Sequence, residues 1–310
     1  MAVETPGAKS FIDPQTLMRI RNLELRARVV VEGFWNGLHR SPYHGFSVEF
    51  TEYRQYTPGD DPRHVDWKLF ARSDRYFLRK YEDETNLRCQ LLVDASRSMG
   101  YGSIAYTKSD YANTLAATLA RFLSVQGDAV GLLTFDEAVR EYLPARNRPG
   151  QLRHIMLALE KATAGTTTDL ITPLNRAVEL TRKRGLMILI SDLLCPVERL
   201  ENSLAAFGAC GHEVVVFHVL DPAEVKFDFD KTSLFLDVES GRELYVDPVL
   251  ARKDYLRQFN AHNEGIEATC RKLGAAYHRM TTDRALELAL FDFLRGRMQR
   301  GKFVQRNVRN

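Results

Sequence analysis

Largely apolar runs of strand length recur along the chain at residues 89–93, 129–135, 186–190 and 214–220, the polar exceptions being Gln90, Thr134 and His218. Runs this short and continuous are the pattern of strands buried on both faces, as in a parallel sheet. Between them, residues 111–125, 152–161, 171–184 and 197–209 place apolar side chains at helical spacing, with Leu115, Leu119 and Phe122 on one face of the first. Residues 139–143 read as a short edge strand. A helix at 248–273, a strand at 276–280 and a helix at 284–298 follow. Strands and helices alternating at these lengths predict an α/β fold with a doubly wound, mainly parallel sheet. Residues 224–247 break that rhythm, and their strand-like alternation around Glu239-Ser-Gly-Arg predicts a hairpin insertion.

Upstream the pattern differs. Residues 1–13 read as a loose arm. From Leu17 a helical period runs through Ile20, Leu23, Ala27, Val30, Val31, Phe34 and Leu38, the stripe of an amphipathic helix packed on its own domain. In residues 44–84, Phe46, Val48 and Phe50 alternate as in a strand. Residues 58–62 read as a turn in which Asp61 is placed to cap a short helix starting at Pro62, 65–72 reads as helical in character, and 76–81 reads as a returning strand. Its dense charges are compatible with a structural ion-pair network on a small β-rich attachment and with a recognition surface. The expected organisation is therefore an arm and helix (1–43), a β-rich segment (44–86), an α/β domain with its insertion (87–298) and a basic tail (299–310) expected to be disordered.

Composition narrows the function. Hydrophobic content of 45% and charged content of 27% fit a globular chain, and a net charge of +3 is too small to imply a nucleic-acid partner. No apolar run approaches a membrane span, and the first residues lack the apolar core of a signal peptide, so cytoplasmic residence is expected. The four cysteines form no C-x-x-C pair and the histidines show no zinc spacing.

Candidate chemistry gathers at strand ends. The run 89–93 ends in Asp94, Ser96 and Ser98, an alternation that turns one carboxylate and two hydroxyls to the same side. Alone, such a string is also a helix-capping turn. Thr168 lies in a polar loop before the helix at 171, and Asp192 follows the strand at 186–190. In a doubly wound sheet these loops share one edge, so the set offers two carboxylates and three hydroxyls. Such hard oxygen donors suit Mg2+ or Mn2+.

This set resembles the metal-ion-dependent adhesion site of von Willebrand factor A domains, over roughly residues 87–295. Upstream, EYRQYTPGDDPRHVDWKLFAR resembles the signature of bacterial domain-of-unknown-function family 58, matching at Arg54, Tyr56, Gly59, Asp60, Arg63, Asp66, Trp67, Ala71 and Arg72. Where the site usually has Gly-Gly-Thr the chain has Thr166-Thr167-Thr168, and Asp192-Leu193 stands for the frequent Asp-Gly. The resemblance implies a von Willebrand factor A-like fold, and a role as adaptor or assembly factor for a MoxR-type AAA+ ATPase or another protein offering an acidic side chain. The signature segment is expected to form a folded polar network, with Trp67 buried and Arg54, Arg63 or Arg72 paired with Asp60 or Asp66.

Enzymatic readings find less support. A dehalogenase-type phosphatase needs a second acid where Ser96 stands, although a metal-dependent phosphoesterase using Asp94 and Asp192 is the alternative. Gly296 to Lys302 has phosphate-loop spacing, but Phe303 replaces the hydroxyl residue. The expectation is a non-enzymatic, cation-dependent interaction protein.

Overall fold

The computed structural model describes residues 12–40, 53–55, 77–79, 87–161, 169–229, 233–236 and 243–307. The chain divides into two compact units, Met1–Trp35 with Leu87–Asn310, and Asn36–Asn86. In the second unit, β1 (Tyr53–Gln55) pairs antiparallel with β2 (Phe77–Arg79), the latter within the expected returning strand. Arg54 lies on β1. The other signature residues, Tyr56, Gly59, Asp60, Arg63, Asp66, Trp67, Ala71 and Arg72, lie outside the described residues, and so does the expected strand at Phe46–Phe50.

In the first unit, the apolar runs form β3 (Arg88–Asp94), β4 (Ala129–Phe135), β6 (Leu186–Ser191) and β7 (Glu213–Leu220), with β5 (Val139–Arg146) and β10 (Ala276–Thr281) at the edges. The sheet runs β10-β7-β6-β3-β4-β5, parallel throughout except for antiparallel β5. This is the doubly wound, mainly parallel α/β architecture that the alternation predicts. β3, β4 and β6 are buried along almost their whole length, as continuous apolar runs require.

Helices cover both faces. α5 (Ile171–Leu180), α6 (Val197–Ala209) and α8 (Pro248–Lys272) pack around Leu92, Leu133, Leu189, Leu204, Phe207 and Ile266. α3 (Lys108–Val125) lies on β3 and β4, with α4 (Gln151–Glu160) and α9 (Leu286–Asn307) beside it. α2 (Leu23–Arg40) joins that layer through Ala27, Val30 and Phe34, all fully buried. The Phe34 ring meets Phe122 edge-on at 5.8 Å and Phe291 at 4.7 Å, while Trp35 stacks on Phe122. The amphipathic stripe is thus spent inside the protein's own core.

Several elements differ from expectation. The helix expected from Leu17 starts at Leu23, because Asn22 Oδ1 accepts the Leu25 N–H at 2.7 Å and begins it there. A separate turn, α1 (Pro14–Met18), is capped by Asp13. α5 stops four residues early, where Thr181 leaves helical space at φ −101°, ψ 76°. The chain then enters β6 through Gly185, where a Cβ would lie 2.3 Å from the Arg88 carbonyl. A short α7 (Pro222–Lys226) precedes the hairpin of β8 (Ser233–Leu236) and β9 (Glu243–Val246). The basic tail expected to be disordered continues α9 to Asn307: its Arg, Lys and Gln are strong helix formers, and cations near a helix C-terminus oppose the dipole favourably.

Candidate functional site

The strand order reverses between β3 and β6, which are neighbours with Val93 opposite Ile190. Outside the carboxyl ends of such a pair the diverging loops leave a crevice, the usual ligand position in open α/β sheets. Asp94 closes β3 there; Ser191 and Asp192 close β6.

The turn after β3 is built by its own side chains. Asp94 Oδ1 accepts the Ser96 N–H at 2.8 Å, and a 3-10 turn follows at Arg97–Gly100. Ser96 Oγ and Ser98 Oγ lie 3.1 Å apart, both buried. Across the strand pair, Ser191 Oγ donates to Asp94 Oδ2 at 2.5 Å. Burial, with the Asp192 charge adding to it, pushes the Asp94 carboxyl up to about 7.

Asp192 is held from two directions. Its Oδ2 receives the Lys108 ammonium at 2.8 Å, and that ammonium also donates to Glu224 Oε1 at 2.6 Å. Lys108 is the first residue of α3, whose start is fixed by the reciprocal Thr107–Asp110 capping bonds. Its side chain is 1% exposed, like that of Asp192. Burial works against the ammonium, but the two carboxylates outweigh it and raise Lys108 above the ordinary lysine range. Removing one partner of a pair this buried costs about 3–5 kcal/mol. The Asp192 carbonyl accepts from His218 Nε2 at 2.8 Å, and His218 Nδ1 lies 2.8 Å from the Tyr277 hydroxyl. Burial lowers His218 to about 4, so the ring is neutral, with Nε2 donating and Nδ1 accepting. Asp192 Oδ1 is buried and has no hydrogen-bond partner among the described residues.

Leu193 continues the turn at φ 53°, the left-handed region, with its N–H on Ser191 Oγ at 3.0 Å. It occupies the place where the resembling sites often carry glycine, and its conformation is the one glycine favours. Its side chain is fully buried in the apolar cluster under α5, α6 and α8.

Of the expected ligands, Asp94, Ser96, Ser98 and Asp192 lie at this edge, whereas Thr168 falls outside the described residues. Its neighbour Asp169 caps α5, taking the Ile171 N–H at 3.0 Å and the Thr172 hydroxyl at 2.6 Å. Burial pushes that carboxyl up, but these bonds prevail and leave it below its ordinary value. Sequence reasoning missed Ser191, Lys108, His218 and Glu224. Only Glu224 had a legible signal: Asp221-Pro-Ala-Glu is a capping box with proline at the first helical position, and both capping bonds form at α7. Ser103 also bonds Asp221, through its N–H at 2.9 Å and its hydroxyl at 2.5 Å.

Among the described residues no group of three or more His, Cys, Asp or Glu side chains is arranged to hold a metal. The edge offers a different donor set, two carboxylates with serine hydroxyls, one carboxylate oxygen being buried and unpartnered. That set fits a hard divalent cation in chemistry. It fits covalent catalysis poorly, since burial, reinforced by nearby carboxylates, pushes the Cys195 thiol up to about 12 and both His218 nitrogens are engaged.

The sheet and the order of its strands define a von Willebrand factor A-like α/β protein. Residues 52–265 match the model of the family described as Protein of unknown function DUF58, and the chain belongs to that family. Uncharacterized protein Rv1480 of Mycobacterium tuberculosis is 33% identical over 278 residues, which span 88% of this chain and 86% of that protein. Among solved structures, the conserved hypothetical protein BatB from Bacteroides thetaiotaomicron is 16% identical, covering 68% of this chain and 99% of its own at a TM-score of 0.46. The SpRpn10 VWA domain is 11% identical, covering 65% and 92% at a TM-score of 0.38. No helix among the described residues is long and apolar enough to cross a membrane.

Proposed function

We propose that this protein is a non-enzymatic interaction module that engages its partner through Mg2+ or Mn2+ held by Asp94, Ser96, Ser98 and Asp192. Thr168 joins that set by family resemblance. The observation that carries the reading is Asp192 Oδ1, buried near Asp94 and without a hydrogen bond among the described residues. An unpartnered buried carboxylate oxygen is costly, and a hard cation is the partner that two carboxylates and two hydroxyls suit. When bound, such an ion supplies an open position for a carboxylate of the partner protein. Ser191 orients Asp94, while His218 and Lys108 fix Asp192 from its carbonyl and Oδ2 sides. The partner class implied by the resemblance is a MoxR-type AAA+ ATPase, with this chain as its adaptor or assembly factor.

Pull-down of a purified MoxR-type ATPase, with Mg2+ or with chelator, tests the proposal. Wild type retains the ATPase in Mg2+ and loses it in chelator; Asp94→Ala loses it in both, and Ser96→Ala weakens it. Truncation after Arg300 changes little. Retention by Asp94→Ala in chelator overturns the metal bridge. Hydrolysis of a phosphoester at a rate dependent on Asp94 overturns the non-enzymatic reading in favour of a phosphoesterase.

A further inference from the structure

We propose that Lys108 is a tethered counter-cation that sets the strength of the cation site, holding Oδ2 of Asp192 against Glu224 so that only Oδ1 is left for the ion. The inference rests on the cation reading above and deepens it.

The geometry carries it. The Lys108 ammonium lies 2.8 Å from Asp192 Oδ2 and 2.6 Å from Glu224 Oε1, with its side chain 1% exposed. The Tyr101 ring covers it at 5.9 Å from the centroid. Its backbone is pinned by the Thr107–Asp110 capping bonds and by its N–H on the Tyr101 carbonyl at 2.9 Å. Swinging the ammonium into solvent would leave Asp192 Oδ2 and Glu224 Oε1 without their cation.

Two consequences follow from Coulomb attraction across a few ångströms of protein. First, a positive charge on one oxygen of Asp192 lessens the pull of the other oxygen on a divalent ion. The ion is held less tightly and keeps charge with which to attract a partner carboxylate. Second, Glu224 shares the ammonium. With Glu224 neutral, Lys108 bears wholly on Asp192, and the site weakens further. A lysine that served merely as scaffold gives the opposite result on removal: loss of Lys108 would loosen Asp192 and weaken ion binding.

Calorimetric titration of Mn2+ into chelator-stripped full-length protein separates these outcomes by sign. Lys108→Met keeps the length of the side chain without its charge and is expected to tighten Mn2+ by about tenfold or more. Glu224→Gln is expected to weaken it by about threefold or more. If wild type takes up no Mn2+, the cation reading itself fails. If wild type binds and Lys108→Met binds equally or more weakly, the counter-cation role is overturned. Should Lys108→Met not fold, Lys108→Gln, which keeps a donor for Asp192 Oδ2 without the charge, decides: tighter binding supports the proposal, and unchanged or weaker binding overturns it.

Discussion

Asp94 is buried, and desolvation together with the Asp192 charge raises its carboxyl from 3.8 to about 7. A carboxyl whose pKa is higher in the fold than in the unfolded chain takes up a proton on folding. Its contribution to stability is complete below about pH 4 and is lost as pH rises through about 7. In chelator, thermal denaturation should show wild type losing stability between about pH 4 and 7, and Asp94→Asn losing distinctly less. Leu193 invites a second comparison. Its φ of 53° favours glycine, while its side chain fills the apolar cluster. Leu193→Ala should cost about 2–5 kcal/mol in urea denaturation, and Leu193→Gly no more than Leu193→Ala, because glycine recovers backbone strain as it loses the methyl. Asp94, Ser96, Ser98 and Asp192 were legible because they cluster just past the ends of two apolar runs. Lys108 was not: a lysine opening a helix reads as solvated, and what buries it are Asp192 and Glu224, 84 and 116 residues further along.

Among the elements, the strands declared themselves most plainly, since a strand covered on both faces has few polar positions to blur its run. Boundaries were harder to read where local hydrogen bonds settle them, as Asn22 does for α2 and Thr181 at the end of α5. The basic end of α9 misled because charge was taken as a sign of disorder, although arginine and lysine extend helices well. α2 shows how much an element depends on one ring. Phe34 is fully buried between Phe122 and Phe291. Phe34→Ala should cost about 3–5 kcal/mol in denaturant titration, and Phe34→Leu less, since leucine refills part of the space. A negligible loss for Phe34→Ala would mean that the helix docks by its other apolar residues.

At the scale of the whole molecule, the class of fold was legible from alternation alone, whereas the order of strands was not. The switch point needs β6 to lie beside β3, a pairing between runs almost a hundred residues apart that no local pattern encodes. The division into units was legible only in part. The helix α2 was grouped with the N-terminal arm, yet its residues up to Trp35 belong with the α/β domain that resumes at Leu87. The covalent chain between them, Asn36–Asn86, therefore acts as a tether that fixes how concentrated α2 is around its own docking face. Its continuity matters greatly, since an intramolecular partner is held at an effective concentration of about millimolar. Cleavage at a protease site introduced within residues 41–52 should turn the docking of α2 into a bimolecular equilibrium, so that the N-terminal fragment co-elutes with the rest at high protein concentration and separates on dilution.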